Sequence, residues 1–391
     1  METASPMIVF LEALLGYPAA WVESFSARGR GLAPLRPRRV VFLCLAPLGF
    51  VLFLFHGFCL ALDRLIFPGF RRSELKKPLF IVGVPRSGTT FLHRQLARDQ
   101  GFSTTASWEL IFAPAICQRR VIALLASMDR SLGGHVKMLL DKLVSALSGD
   151  MDAIHAVGLA DAEEDYLALL PAAGCFMAAM AFPASRRFAG LARMGDMSSA
   201  RRERLLHHYR GLLQRHVYAH GNNRQLLSKN AAFASWAPYL RELFPDAQLV
   251  ICIREPSTAV SSQLSSLRPA QKLFASYPRD EALDRVFTQL YPYWYGELAR
   301  CLVAAGEAPL VIEQEWLRTH TVETLQLIYA RLEREVPGGS VDTAQEVVLP
   351  EHRHHAEDRD TDISQVTRDA DNAYATLAEA ARVQRARLAA A

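Results

Sequence analysis

The stretch that most restricts the fold is FIVGVPRSGTTFLHRQLARD, residues 80–99. An apolar run rich in β-branched residues leads into a glycine-rich loop, and apolar residues then recur at helical spacing. From Gly83 to Thr90 the loop reads GVPRSGTT, which matches G-x-x-x-x-G-K-[S/T] except that Thr89 replaces the lysine. A buried parallel strand, a tight loop and a helix in this order predict an α/β architecture around a phosphate-binding loop.

The loop predicts an anion site that differs from the usual triphosphate site. Backbone N–H groups at a helix start point at one position, and Gly83 and Gly88 let the backbone approach an anion closely. Without the lysine, the reach to β- and γ-phosphates is lost, and with it much of the case for ATP and Mg²⁺. Arg86 lies inside the loop instead and can make a forked contact to one phosphate or to a leaving oxygen. The sequence therefore predicts a nucleotide with a short anionic tail.

Strand and helix patterns alternate downstream of the loop. QLLSKN predicts a short strand at 225–230, apolar runs predict strands at 248–253 and 309–314, and periodic patterns predict helices at 200–220 and 236–245. This alternation predicts an α/β, P-loop nucleotide-binding fold with a central, mainly parallel sheet, helical insertions and N-terminal hydrophobic helices.

The chain divides into three predicted regions. Residues 1–63 form a hydrophobic, membrane-associated segment, and residues 64–350 form the main domain. Residues 351–391 comprise a charged segment followed, from residue 370, by an Ala- and Arg-rich helix that we expect to be peripheral.

The most apolar part of the N-terminal region is residues 40–62, which contain no Asp, Glu, Lys or Arg. At about 1.5 Å per residue, a helix of this length could cross a hydrocarbon core of about 30 Å. Pro47, Gly49 and Gly57 leave a kinked, interfacial or re-entrant helix open, and a helix packed in the protein core is a third interpretation. Basic residues flank both ends, so charge does not fix an orientation. We expect membrane contact through residues 40–62 and no cleavable signal peptide.

Composition narrows the compartment and the partners. The six cysteines are scattered without a C-x-x-C pair, and there is no N-x-[S/T] sequon. The scattered cysteines favour free thiols in a reducing compartment, and the missing sequon argues against the secretory lumen. We therefore expect a main domain that faces the cytoplasm. The net charge of +4 is too small for a nucleic-acid signature, so no nucleic-acid partner is expected.

Two motifs together resemble those of a known family. VGVPRSGTTFLHRQLA resembles the 5′-phosphosulfate loop of sulfotransferases that use 3′-phosphoadenosine-5′-phosphosulfate (PAPS), which has no γ-phosphate for a lysine to hold. LVICIREPSTAVSSQLSSL resembles the family's 3′-phosphate site, in which a serine follows the strand-end arginine by eight residues, as here. The resemblance implies PAPS as co-substrate and no metal. The residues it assigns to the cofactor are Arg86, Ser87, Gly88, Thr89, Thr90, Phe91, Arg254 and Ser262.

The resemblance covers residues 64–335 and points to the broad branch that includes tyrosylprotein sulfotransferases and many bacterial enzymes. HAVGLADAEEDYLALL, among other segments, is similar to that branch. The match weakens after residue 313, where EQEWLRTH stands in place of an acidic and aromatic segment.

The implied reaction moves a sulfuryl group to an acceptor hydroxyl, with an amphiphilic small molecule or lipid as the expected acceptor. A base for the hydroxyl proton is typically worth about 10²–10⁴-fold. Glu109 is the first candidate, because the related branch has its catalytic glutamate at a similar place after the loop. His155 is the alternative, because cytosolic sulfotransferases use a histidine. Arg86 and Lys229, the latter at a predicted strand end, are expected to neutralise charge on the sulfate.

Several of these side chains have simpler interpretations. Glu109 could be an ordinary helix-start glutamate, and His155 and Lys229 could be unremarkable structural or solvated residues. The acidic run 163–165 could shape the acceptor pocket or form a solvated helix start. The histidine-rich run at 352–355 has no partner cysteine and is not predicted to bind metal.

Two other functions remain open from the sequence. A P-loop kinase or NTPase would need a carboxylate after a strand beside the loop, where Arg254 stands, with Glu255 only after it. A catalytically silent membrane scaffold on the same fold would lack a competent base.

Overall fold

A five-stranded parallel sheet forms the centre of the molecule, in the order β2-β3-β1-β4-β5. The computed structural model describes residues 5–135, 138–139, 162–221, 223–274, 281–303, 307–337 and 363–389. The strands are β1 Leu79–Gly83, β2 Phe102–Ser103, β3 Gln225–Asn230, β4 Gln248–Ile253 and β5 Leu310–Glu313.

Strand β1 lies in the middle of the sheet, and all five of its residues are buried. Val82 is in register with Asn230 of β3, and Gly83 is in register with Cys252 of β4. The carboxyl ends of β3, β1 and β4 therefore meet at one edge of the sheet. In open α/β sheets this edge is where ligands bind.

Helices cover the sheet and extend the chain at both ends. The first six are α1 Ser5–Glu23, α2 Ala27–Leu32, α3 Pro37–Ile66, α4 Thr89–Leu96, α5 Ser107–Phe112 and α6 Ile116–Ser131. The next five are α7 Ala178–Ala181, α8 Arg186–Ala189, α9 Ser199–His220, α10 Ala237–Leu243 and α11 Pro256–Phe274. The last four are α12 Glu281–Val303, α13 Gln314–Thr319, α14 Thr321–Arg331 and α15 Ser364–Ala389. Among the described residues, 3₁₀ segments are Pro68–Arg72, Asp165–Ala172, Gly190–Ala192, Met194–Asp196 and Ala231–Ser235.

Alternate residues of the strands feed two hydrophobic clusters on opposite faces of the sheet. Phe80 and Val82 of β1 belong to the larger cluster, which also includes residues of the N-terminal helices. Leu79 and Ile81 belong to the smaller cluster, which packs under α4 and α14. Burial on both faces explains why these strands read as continuous apolar runs in the sequence.

The sheet and its covering helices confirm the predicted α/β class. Strands β3 and β4 have the predicted bounds, and β5 is two residues shorter than the predicted 309–314. Strand β2 was not predicted, because two residues carry no periodic signal. The helix predicted to end at Pro245 ends two residues earlier, at Leu243.

The prediction of a peripheral C-terminal helix was wrong. Helix α15 packs against α12 and β5, and its Ala370, Leu377 and Ala381 are fully buried. The Gln384 side chain accepts from the Val311 N–H at 2.9 Å and donates to a neighbouring backbone carbonyl. Small alanine side chains let the helix approach the sheet closely, which the composition alone did not indicate. The predicted boundary at 350/351 lies outside the described residues.

Helix α3 is the apolar segment predicted to contact a membrane. It is the one candidate membrane span found among the described residues, by length and hydropathy, and only 11% of its most apolar window is buried. Nevertheless α3 packs against the rest of the chain through α1, α6 and the segment Asp165–Ala172. Helix α3 therefore packs on the rest of the chain with one side, as the core-helix alternative predicted, whereas most of its apolar window is exposed.

Candidate functional site

The loop between β1 and α4 is tight and bonded to itself. A Cβ on Gly83 would lie 2.2 Å from the carbonyl oxygen of Cys252, so only glycine fits between β1 and β4 here. Gly88 has a φ of 87°, in the left-handed region, and precedes the first turn of α4. The buried Ser87 hydroxyl donates to the Val84 carbonyl at 2.7 Å. The loop thus delivers the free N–H groups of the α4 start to the carboxyl edge of the sheet.

Arg86, Arg254 and Ser262 converge beside this loop, although they are far apart in sequence. Arg86 Nε donates to Ser262 Oγ at 3.0 Å, and Arg254 Nη1 donates to the Arg86 carbonyl at 3.3 Å. Both guanidiniums are half-buried, and within the described part of the chain neither forms a salt bridge. Burial lowers the pKa of both from its usual range, and each lies near the other's charge. Two neighbouring guanidiniums that form no salt bridge among the described residues make a site that favours an anion, although the charges of Glu255 and Glu315 also act on Arg254.

Two buried tyrosines of α12 bind backbone carbonyls of the loop and of Arg254 and so stabilise this arrangement. The Tyr291 hydroxyl lies 3.1 Å from the Pro85 carbonyl and 3.3 Å from the Ala259 carbonyl, and it therefore links the loop to α11. The Tyr295 hydroxyl donates to the Arg254 carbonyl. Sequence reasoning missed both tyrosines, because inside YPYWY they look like ordinary apolar residues of a buried helix.

The remaining predicted cofactor residues lie in the first turn of α4. Thr89 is buried, and Thr90 and Phe91 are half-buried. Phe91 packs against the smaller hydrophobic cluster. Thr89 and Thr90 therefore present N–H groups at the anion site, whereas the visible contacts of the Phe91 ring are to the core.

On the opposite side of β1, Lys229 near the end of β3 pairs with two glutamates. Its Nζ lies 2.8 Å from Glu164 Oε1 and 4.0 Å from Glu163 Oε1. The lysine side chain is 1% exposed, and the glutamate side chains are 23% and 17% exposed. A solvent-reachable carboxylate pair and a buried ammonium thus lie at the same sheet edge as the loop. The sequence had indicated all three residues but not that they meet.

A buried network below Lys229 fixes the glutamate segment. The Asn230 amide donates to Asp165 Oδ1, and the Tyr209 hydroxyl donates to Asp165 Oδ2 at 2.9 Å. The Tyr166 N–H donates to Asn230 Oδ1 at 3.0 Å. Burial raises the pKa of Asp165 to about 6. The network anchors residues 163–166 to the end of β3 and so positions the two glutamates on Lys229.

The Glu109 carboxylate is buried, and both of its oxygens are bound by neighbouring groups of the protein. Its Oε1 is 2.6 Å from His220 Nε2 and 3.2 Å from Arg119 Nη1, and its Oε2 accepts from the Ala106 N–H at 2.9 Å. Burial raises the pKa of the Glu109 carboxyl, but the His220 contact and the Arg119 charge outweigh it and lower that pKa to about 2. Ala106 bridges to Ala162, which precedes Glu163, so the cluster borders the Lys229 site.

Glu109, His216 and His220 also form a group that could hold a metal ion, and their ligand atoms lie within 4.8 Å of one another. However, Arg119 Nη1 lies 3.2 Å from Glu109 Oε1 and 3.3 Å from His216 Nδ1. Burial and the nearby Arg119 charge lower the pKa of His216 to about 3, so its neutral ring accepts from the guanidinium. The Arg119 guanidinium therefore occupies the place that a metal ion would take between Glu109 and His216, and the residues do not fit a metal.

His155, the alternative base, lies outside the described residues, as do the histidines at 352–355. The two histidines that do contact Glu109 come from α9, where sequence reasoning found only an amphipathic helix. Their spacing of four residues puts His216 and His220 on one side of α9, and this spacing is the sequence feature that could have identified them as a pair.

Comparisons with known proteins give a family match and two similar folds. The model of the sulfotransferase family matches residues 78–338. The crystal structure of sulfotransferase STF1 from Mycobacterium tuberculosis is similar with a TM-score of 0.66 at 15% identity, covering 95% of this chain and 93% of that one. That of sulfotransferase STF9 from Mycobacterium avium is similar with a TM-score of 0.67 at 15% identity, covering 94% and 95%. No curated protein matches the chain.

Proposed function

The chain belongs to the sulfotransferase family, and from this premise we propose that it transfers the sulfuryl group of PAPS to an acceptor hydroxyl. The observation that carries the proposal is the convergence of Arg86, Arg254 and Ser262 beside a phosphate loop that has no lysine. That arrangement supplies charge for two separate single phosphates, which PAPS has and a nucleoside triphosphate does not.

The proposed cofactor pose follows from the free donors. The phosphosulfate lies on the N–H groups of the loop and of the α4 start, where the helix dipole favours negative charge. The 3′-phosphate lies on Arg254 and Ser262. Because Ser262 Oγ already accepts from Arg86, its own O–H is available to donate to a phosphate oxygen. Arg86 lies between the two anionic groups and stabilises both.

In the proposed reaction the acceptor oxygen attacks sulfur, and the bond between sulfur and the bridging phosphate oxygen breaks. The leaving group is adenosine 3′,5′-bisphosphate, and its new charge is stabilised by Arg86 and the loop N–H groups. Lys229 faces the transferred sulfuryl group from the β3 side. The acceptor proton passes to a carboxylate at the same sheet edge.

We propose Glu164, with Glu163 beside it, as that carboxylate. Both glutamates are partly exposed and lie on Lys229, so an acceptor hydroxyl can reach them. Glu109 as the base stays a prediction, but its contacts favour a positioning role. Its side chain is 2% exposed, and a carboxylate with a pKa of about 2 is a weak proton acceptor. His155 also stays a prediction.

The acceptor and the location belong to the same proposal. We infer an amphiphilic small molecule or lipid as acceptor, because the family domain follows an exposed apolar helix. All six cysteines are free, which agrees with a catalytic domain that faces the cytoplasm. Protection of the catalytic domain from protease in sealed vesicles of known orientation would overturn this location.

The rival P-loop kinase is disfavoured by the end of β4. Glu255 is the first carboxylate after that strand, and it accepts from the N–H groups of Ser257 and Thr258 at the start of α11. It therefore caps a helix and is not free for Mg²⁺ at the loop. The silent scaffold is disfavoured by the partly exposed Glu164 beside Lys229.

Turnover of radiolabelled PAPS with a membrane-lipid extract tests the proposal. We expect acceptor-dependent sulfate incorporation, a raised KM for PAPS in Arg254→Ala, and a kcat lower by about 10²–10⁴-fold in Glu164→Gln. Arg382→Ala, an exposed arginine of α15, is the matched control. Transfer of label from γ-labelled ATP instead would contradict the proposal. An undiminished kcat in Glu164→Gln, with a large loss in Glu109→Gln or His155→Ala, would reassign the base.

A further inference from the structure

Helix α3 packs on one side against the rest of the chain from its start to its end. Near its start, Phe42 packs edge-on against Phe274 at 5.4 Å between ring centroids. In the middle, the Phe53 ring lies 5.1 Å from that of Tyr17 on α1. Near its end, His56 Nδ1 lies 2.8 Å from the Gln118 amide of α6. A helix packed in this way on protein cannot be surrounded by lipid.

Both ends of α3 are also fixed to the same domain by buried charges. Arg39 Nη1 donates to the Ala181 carbonyl at 2.8 Å, and Asp63 pairs with Arg215 of α9 at 3.0 Å. Asp63 also accepts from two N–H groups at the start of α6. Arg39 and Asp63 are about 36 Å apart along the helix axis. If α3 crossed a hydrocarbon core of about 30 Å, these two contacts would require the domain to be on both sides of the membrane.

The outer side of α3 and of its neighbours is apolar and exposed. Leu48, Val51 and Phe58 of α3 are 67%, 61% and 62% exposed. Leu15 of α1 and Leu124 of α6 are 72% and 63% exposed, and both helices contact α3. We name the exposed sides of α1, α3 and α6 the membrane face. Three adjacent helices with apolar outer sides exceed the scattered exposure of ordinary soluble surfaces.

Basic residues border the membrane face at both ends of α3. Exposed arginines and lysines precede and follow it: Arg28, Arg30, Arg36, Arg38, Arg71, Arg72, Lys76 and Lys77.

A further basic cluster flanks α1. Arg187 and Arg204 share the single carboxylate of Glu12, and Arg201 lies beside them. In the described part of the chain, Nε and Nη2 of Arg201 are buried without a hydrogen-bond partner. This border complements an anionic lipid surface. A second copy of the chain would instead bring like charges together.

We propose that the chain inserts the membrane face flat into one leaflet of an anionic bilayer, with α3 parallel to the surface and the catalytic domain on a single side. The proposal deepens the membrane association proposed above. It also gives the acceptor a route. The segment Asp165–Ala172, which directly follows Glu164, contacts α1 and α3, and the Tyr17 hydroxyl donates to its Leu170 carbonyl at 2.6 Å. An amphiphile held in the leaflet would therefore meet the carboxylate side of the active site.

Vesicle flotation of the full chain is the first arm of the test. We expect co-flotation with vesicles of phosphatidylcholine and phosphatidylserine, and at least tenfold weaker binding to phosphatidylcholine alone. Val51→Asp should abolish co-flotation, and Val303→Asp, at an exposed valine of α12, should not. Both variants should keep the wild-type melting temperature in solution. Absence of flotation in a chain that still binds adenosine 3′,5′-bisphosphate would overturn the membrane proposals and leave the sulfotransfer proposal standing.

Depth along α3 is the second arm, measured with spin labels at Val41, Val51 and Phe58 in a Cys44→Ser background. Flat insertion predicts the same shallow depth of about 5–10 Å at all three positions. A crossing helix predicts a central label near the middle of a core of about 30 Å, with shallower labels at the ends. That V-shaped profile would overturn the proposal, as would labels that remain in water while the chain forms dimers.

Discussion

Two glutamates with opposite surroundings illustrate how single residues are given their roles in this molecule. Glu109 is enclosed by Arg119, His220 and a backbone N–H, which stabilise its charged form. Glu164 reaches solvent beside Lys229. Environment, and not residue type, thus distinguishes Glu109 from Glu164, the carboxylate that we propose exchanges a proton with the acceptor.

The Glu109 contacts predict a pH-dependent contribution to stability. The folded pKa of about 2 lies below the usual 4.5, so the folded state binds fewer protons between these values and its stability falls as the pH falls. Glu109→Gln should lower the free energy of unfolding at pH 7 by about 3–5 kcal/mol, because it leaves the buried Arg119 without a counter-charge. The deficit should shrink as the pH falls below about 4.5.

Urea unfolding of both proteins at several pH values between 7 and 3 measures this effect. Glu203→Gln, at an exposed glutamate of α9, is the control and should behave like the wild type. A Glu109→Gln deficit that stays constant down to pH 3 would mean that the Glu109 charge does not stabilise the fold.

The sequence predicted most residues of the proposed cofactor site, but it predicted fewer of the contacts on the proposed acceptor side. The resemblance to the family had assigned Arg254 and Ser262 by their offsets from a strand end, and both lie beside the loop in the fold. Lys229 and Glu164 meet only through tertiary packing, because the glutamate segment reaches β3 from a distant part of the chain. No local pattern encodes that encounter.

At the scale of elements, the close approach of β1 and β4 determines the loop. Gly83→Ala would place a Cβ 2.2 Å from the Cys252 carbonyl oxygen, and neither backbone can move without breaking the ladder. We expect a loss of about 1–3 kcal/mol in stability and at least tenfold weaker nucleotide binding.

Gly296→Ala on α12 is the matched control, since a Cβ there meets nothing within 4 Å. It should leave binding unchanged and be neutral or slightly stabilising. Melting curves and nucleotide titrations report both quantities, and wild-type binding in Gly83→Ala would contradict the assigned loop geometry.

Helices and strands were predicted correctly where the sequence pattern was strong. The prediction failed where tertiary contacts determine whether an element forms or is buried. Strands β1 and β4 read as apolar runs because both faces are buried. The two-residue β2 and the packing of α15 left no such signal, since alanine-rich helices can be either exposed or buried.

At the scale of the whole molecule, the parallel sheet separates two half-sites around β1. In the proposed function, Arg254 at the β4 end binds the nucleotide and Lys229 at the β3 end faces the acceptor, with the phosphate loop between them. The N-terminal helices close the acceptor half and carry the proposed membrane face. Hydropathy identified α3, whereas the buried contacts of Arg39 and Asp63 are the basis for the proposed orientation of α3 parallel to the membrane surface.

The most direct measurement is a calorimetric titration of the purified chain with adenosine 3′,5′-bisphosphate and, separately, with ATP and Mg²⁺. We expect micromolar binding of the bisphosphate, much weaker binding of ATP, and a loss of bisphosphate affinity of at least tenfold in Arg254→Ala but not in Arg382→Ala. Tight binding of ATP with Mg²⁺ that is indifferent to Arg254 would contradict the account and favour a kinase or NTPase.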